Sequence, residues 1–276
     1  YTAKPVAINI ASYSGHNSIR SQVMGDDYKR EATPAEIEKM RQLLADDMRA
    51  GALGLSTGLE YDPGIYSSRD EVLTLAREAA ASGGRYISHI RSEDVTLDEA
   101  IDEIIQIGRE AKLPVQISHI KIAIKDRWGY APTLLAQLES ARASGVDITA
   151  DCYPYDFWRS TLRVLFPNRD YTNLKSAEFA VNQLFDPEKS LLLDYLPNPE
   201  YSGKSVLEVA ALRKERPAET LMYLIAAASE FDEKHPDFPG NAEGIMGKSM
   251  DEPDVESFLA WPHTNICSDG SWGGHP

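Results

Sequence analysis

Two stretches decide how the chain is read: Tyr86-Ile87-Ser88-His89-Ile90-Arg91 and, about thirty residues on, Val115-Gln116-Ile117-Ser118-His119-Ile120-Lys121. Each is a short, largely apolar run ending in Ser-His-Ile and a cation. Between them, residues 96–112 repeat apolar side chains at helical spacing after Thr96 and Glu99, a pair suited to opening a helix. Strand, helix and strand at this spacing make a crossover unit whose two strands lie parallel.

The same rhythm extends outward. Thr33-Pro34-Ala35-Glu36 reads as a capped helix start, Ile37, Met40, Leu44 and Met48 follow at helical spacing, and Gly51 supplies a stop. A strand is expected over 52–56. Ser68 with Glu71 opens a helix that closes near Gly83-Gly84, and Pro132 leads a further helix to Gly145, ahead of a strand over 146–151. Strand starts near positions 52, 86, 115 and 146 suit either a doubly wound sheet or a closed (β/α)8 barrel. No glycine-rich phosphate turn follows any strand, and polar residues gather at the strands' carboxyl ends, where a barrel carries its active site. The expected fold class is therefore α/β, a TIM-like barrel.

After Tyr155 the rhythm breaks. Residues 167–248 read as helices joined by proline-rich turns, with little strand signal, and a short strand returns at 263–268 before Asp269-Gly270. The expected organisation is barrel units over 1–166, a helical insertion over 167–248, and the last barrel strand with its loop over 249–276.

Composition narrows the function. In 276 residues, 28 basic side chains face 43 acidic ones, and the formal net charge of −15 weighs against non-specific nucleic-acid binding. No apolar run approaches the ~20 residues of a membrane helix. Two cysteines, Cys152 and Cys267, make no disulfide framework. The chain opens on Tyr1 without a methionine and carries no signal peptide, so a piece of a longer protein is expected and localisation is left open.

In each Ser-His-Ile-cation element the histidine and the cation stand two residues apart and so share a strand face. With those faces inward, His89 and His119 lie at one height on neighbouring strands, which favours a metal site over two hydrogen-bonded core histidines. Asp269, at a strand-to-loop handover, is placed to take a proton from water, although Asp-Gly is also an ordinary turn. Tyr61 and Tyr153 stand at strand ends, as carbonyl-polarising groups or as rim aromatics. His16 is either a ligand or a loop histidine, and Cys152 is expected to be a small buried thiol.

These residues fall into motifs that together resemble the D-aminoacylase (N-acyl-D-amino-acid deacylase) family of amidohydrolases: GHNSIR at 15–20, GALGLSTGLEY at 51–61, SHIRSE at 88–93, SHIK at 118–121, DCYPY at 151–155 and SDG at 268–270. The resemblance implies a zinc-dependent barrel, present from about the third strand to the eighth, that hydrolyses the amide bond of N-acyl-D-amino acids. It implies His89 and His119 as metal ligands, Asp269 as the catalytic acid–base and Tyr61 as a carbonyl-polarising group. Lys121 and Tyr153 match substrate-carboxylate contacts, and Arg91 belongs to the motif without a firm role beyond substrate contact or site orientation. The chain departs from the family in having no His-X-His pair and no cysteine matching the family's metal-binding one. Phe157, Trp158 and Arg159 stand where small or hydroxyl-bearing residues are usual. A small-molecule substrate is implied; the oligomeric state is not. The competing functions are opening of a cyclic amide or imide, a non-catalytic barrel holding an acidic ligand through Arg91 and Lys121, and Schiff-base chemistry at Lys121.

Overall fold

The structure, a computed structural model, describes residues 10–238 and 240–270. Positions 6–10, a run from Val6 to Ile10 that reads as a short strand, lie almost wholly outside the described residues, as does His275, which reads as structural or exposed. Six strands form one parallel sheet: β1 (Ser14–Gly15), β2 (Gly54–Gly58), β3 (Arg85–His89), β4 (Val115–Ile117), β5 (Ile148–Cys152) and β9 (Thr264–Ile266), side by side in that order. Between β5 and β9 the chain lays down a second, antiparallel sheet of β6 (Phe157–Ser160), β7 (Leu191–Tyr195) and β8 (Glu243–Lys248), ordered β6-β8-β7.

Helices link the parallel strands. They are α1 (His16–Met24) and α2 (Pro34–Arg49) before β2, then α3 (Arg69–Ala81), α4 (Leu97–Ala111) and α5 (Ala131–Ala143). The excursion carries α6 (Leu174–Phe179), α7 (Val206–Arg213) and α8 (Pro217–Lys234), and α9 (Glu252–Ala260) leads into β9. Local chemistry sets several starts. Thr33 and Glu36 close a reciprocal capping box on α2, and Ser68 Oγ accepts the Glu71 N–H at the start of α3. Thr96 makes no side-chain cap on α4; Ser92 Oγ instead accepts the Thr96 N–H at 3.1 Å.

The core lies between these helices and the sheet. Ile101, Ile104 and Ile107 on α4 are buried with Val115, Ile117 and Ile148 of the strands. Gly108 lets α4 come close, because a Cβ there would stand 2.8 Å from Val146 Cγ1. Among the described residues, no helix is long and apolar enough to cross a membrane.

Two expectations are corrected. The excursion is not purely helical: β7 and β8 lie within 167–248, and β6, the other neighbour of β8, starts ten residues before that stretch. In β8, Gly244 and Gly247 break up the run of strand-forming side chains, so composition hides its alternating burial. The strand expected over 115–121 also stops at Ile117, because His119 takes a left-handed backbone conformation with φ 39°.

Candidate active site and metal centre

All six parallel strands present their carboxyl ends on one side, and the polar residues collect there. His89 is the last residue of β3, with Gly58 of β2 as its register partner. The segment after β2 brings Glu60 and Tyr61 above it. Asp151 on β5 secures the turn after β4: its carboxylate accepts the His119 N–H at 2.6 Å, and its main-chain carbonyl accepts the Ile120 N–H at 2.8 Å. His119 is thus aimed by a carboxylate-held turn rather than by strand alternation.

The two imidazoles converge. His89 Nδ1 lies 3.0 Å from His119 Nε2. Behind them, His89 Nε2 is 2.8 Å from Glu60 Oε2, and His119 Nδ1 is 3.0 Å from Glu93 Oε1. Lys121 Nζ donates to Glu93 Oε1 at 2.6 Å and stands 2.7 Å from His119 Nδ1. Donor atoms of His89, Glu93 and His119 all lie within 4.8 Å of one another, a cluster able to hold a metal ion.

Electrostatics suit that use. Burial holds His89 below its ordinary pKa and favours the neutral ring that a cation requires. Burial alone would raise Glu93, but Lys121 and both histidines outweigh it and hold the carboxyl well below the usual range. Lys121, opposed by burial, is kept firmly protonated mainly by Glu93. A lysine so paired is a poor Schiff-base nucleophile. Burial, helped by the Glu93 charge, pushes Glu60 up to about 8.

Tyr61, His119, Lys121, Tyr153 and Asp269 line one cavity, together with Glu60, Glu93 and Asp94. His89 reaches it through its neighbours, with ring centroids 4.5 Å from Tyr61 and 4.6 Å from His119. Burial, with nearby carboxylates, holds the Tyr61 hydroxyl above its ordinary pKa, so it stays a donor at neutral pH. The Tyr153 ring lies under Lys121 Nζ at 5.3 Å, and its buried hydroxyl has no hydrogen-bond partner among the described residues. Asp269 is exposed at the cavity's edge, in a left-handed turn with φ 51°.

Arg91 goes elsewhere. Past the end of β3, strand alternation no longer governs it, and its guanidinium grips both oxygens of Glu103 at 2.8 Å, with the Ser67 carbonyl at 3.1 Å. It is not among the residues lining the cavity. Expected to share a strand face with His89, Arg91 instead turns to Glu103, and this geometry makes it a brace between the loop after β3 and α4. His16 opens α1, fully buried and 2.7 Å from Glu71, which also pairs with Arg20. Cys152 is a buried thiol raised to about 11 by burial.

Glu60, Glu93, Asp94 and Asp151 received no role from the sequence. Each stands in or beside a quoted strand-end motif. The available signal was a carboxylate at a strand's carboxyl end, next to a candidate ligand.

No protein-family model matches the chain. D-aminoacylase of Alcaligenes xylosoxydans xylosoxydans is 34% identical over 271 residues, which is 97% of this chain and 48% of that protein. A crystal structure of D-aminoacylase, described as defining a novel subset of amidohydrolases, matches with TM-score 0.74 at 32% identity, over 96% of this chain and 48% of that one. N-acyl-D-glutamate deacylase from Bordetella bronchiseptica, solved with zinc and a phosphonate mimic of the tetrahedral intermediate, matches with TM-score 0.79 at 28% identity. That match covers 98% of this chain and 50% of the deacylase. The chain spans about half the length of the relatives it matches.

Proposed function

We propose that this chain, which belongs to the D-aminoacylase family of amidohydrolases, carries the larger part of a zinc-dependent site that hydrolyses the amide bond of N-acyl-D-amino acids. The observation that carries this reading is the approach of His89 Nδ1 to His119 Nε2, 3.0 Å apart beside a cavity that Lys121 and Asp269 also line.

The donor set fits zinc: two imidazole nitrogens and a carboxylate oxygen within 4.8 Å of one another, buried and backed by further carboxylates. His89 and His119 would hold the ion through their facing nitrogens, with Glu93 behind His119 as the nearest carboxylate of this chain. When bound, the ion supplies Lewis-acid chemistry, acidifying water and polarising a carbonyl.

The chain's own groups do the rest. Lys121 pins the substrate's α-carboxylate, and the unpartnered Tyr153 hydroxyl donates beside it. The acyl carbon is thereby held near Asp269. Asp269 accepts the attacking water's proton as the C–O bond forms, and delivers it to the amide nitrogen as the C–N bond breaks. The products are a carboxylic acid and a free D-amino acid. Tyr61 donates a hydrogen bond to the oxygen on which negative charge accumulates.

The six-stranded sheet would be the larger part of a (β/α)8 barrel, its edges at β1 and β9 meeting strands beyond the described residues. Ile266, 78% exposed on β9, is the side chain such a neighbour would cover. Among the described residues, those up to β5 and from α9 onward would form the barrel part, with β6 to β8 and their helices as the insertion.

The decisive experiment uses the complete protein. Release of D-amino acids from N-acyl-D-amino acids, abolished by chelation and restored by zinc, is expected. Asp269→Asn should retain zinc and lose turnover. Full activity in that variant would remove Asp269 from the chemistry.

A further inference from the structure

Arg159 lines the same cavity, yet among the described residues its guanidinium makes no ion pair and no side-chain hydrogen bond. Other arginines are committed: Arg20 to Glu71, Arg91 to Glu103 and Arg163 to Asp232. The cavity's other cation, Lys121, is fixed in place by Glu93 at 2.6 Å and is the group assigned above to the α-carboxylate.

The strand bearing Arg159 is firmly placed. Within β6 it is the register partner of Met246 on β8. Next to it, the Trp158 indole lies against Gly247, where a Cβ would come within 2.5 Å of the ring. At the near end, Lys248 pairs with Asp156 and donates to the Met250 carbonyl at 2.8 Å. Arg159 is therefore exposed on a fixed backbone, its planar fork open to the cavity.

The surrounding charge says what the fork is for. Glu60, Glu93, Asp94 and Asp269 share the cavity, so a substrate with two negative groups meets repulsion wherever no cation compensates it. An N-acyl amino acid with a neutral side chain has one carboxylate, which Lys121 answers. A second cation without a counter-ion has no partner in such a substrate.

We propose that the preferred substrates carry a second carboxylate, on the amino-acid side chain or on the acyl arm, and that Arg159 binds it. This rests on the deacylase reading above and deepens it, making Arg159 a specificity-determining residue.

The test compares matched substrates on the complete, zinc-loaded protein. N-acetyl-D-glutamate is set against N-acetyl-D-glutamine, and N-succinyl-D-methionine against N-acetyl-D-methionine. The first pair places the extra charge on the side chain, the second on the acyl arm. Expected is a kcat/KM preference of at least about tenfold for the charged member of one pair. In Arg159→Gln, at zinc content equal to wild type, that ratio should fall towards one, and Arg159→Lys should retain part of it. Turnover of both neutral members without preference for either charged one overturns the Arg159 assignment and leaves the deacylase reading standing. A preference that survives Arg159→Gln does the same. No amine release from any of the four substrates overturns the deacylase reading, and this assignment with it.

Discussion

His89 Nδ1 and His119 Nε2 stand 3.0 Å apart, and each ring has a carboxylate at its other nitrogen: Glu60 at 2.8 Å and Glu93 at 3.0 Å. For both facing nitrogens to offer lone pairs to one cation, His89 must carry its proton on Nε2 and His119 on Nδ1. Those are the positions the two carboxylates occupy. Glu60 favours that proton position and ring plane for His89, as an outer carboxyl group does around a metal-bound histidine, whereas His119 Nδ1 is shared between Glu93 and the Lys121 ammonium at 2.7 Å.

Removing the outer carboxylate should therefore weaken metal binding without deleting a ligand. Glu60→Ala in the complete protein is expected to lower zinc affinity by roughly 10–100-fold. Glu60→Gln, which retains an acceptor, should cost less. Chelator competition with metal analysis measures both. Wild-type affinity in the alanine variant would show that the Glu60–His89 contact does not orient the ring.

Tyr61 offers a separate test, because its role is confined to the developing charge. Held above its ordinary pKa by burial, its hydroxyl remains a donor at neutral pH. Tyr61→Phe should lower kcat by about 10²–10³-fold with zinc content unchanged and KM moved far less. A variant that raises KM and leaves kcat intact would make Tyr61 a substrate-packing group.

Arg91 and Glu103 should matter for stability instead. Their two-pronged contact, with Glu103 nearly buried, ties the loop after β3 to α4. Arg91→Ala leaves Glu103 without its main partner, and a loss of about 3 kcal/mol is expected. Urea unfolding checks this. Selective loss of affinity for substrate, at unchanged stability, would return Arg91 to the ligand.

Much of this was legible in the sequence, for identifiable reasons. Helical periodicity and the Thr33–Glu36 box located α2, and the first Ser-His-Ile located the end of β3, because these signals act over a few residues. What happens past a strand's last residue was not legible. Extending strand alternation to Arg91 and Lys121 put both beside their histidines, and only Lys121 is there. His119 is turned by Asp151, 32 residues away in sequence, and no local pattern encodes such a contact. The small antiparallel sheet was hidden likewise, since β6 and β8 pair across an intervening stretch read as helix. Glu60 stands just past β2, and its partner His89 ends β3, so no pattern within its own motif gives it a role.

Glu243 makes the pH dependence testable away from the metal cluster. This carboxyl on β8 accepts the Leu162 N–H at 2.8 Å through Oε2, and its buried Oε1 has no partner among the described residues. Burial, partly offset by the Leu162 N–H and the Arg163 charge and reinforced by Asp232, pushes its pKa up to about 7 from an ordinary value of 4.5. The folded state thus holds this proton more tightly than the unfolded one. Its contribution is most favourable below pH 4.5, declines as pH rises, and is fully lost above about pH 7. Glu243→Gln keeps the acceptor for Leu162 and removes the titration. Relative to wild type, the variant should gain about 2 kcal/mol on going from pH 5 to pH 8. Denaturation midpoints of both proteins at the two pH values measure the difference. Arg163 and Asp232 are the charged groups that act on it. An identical pH dependence in the two proteins would show that Glu243 is ionised throughout.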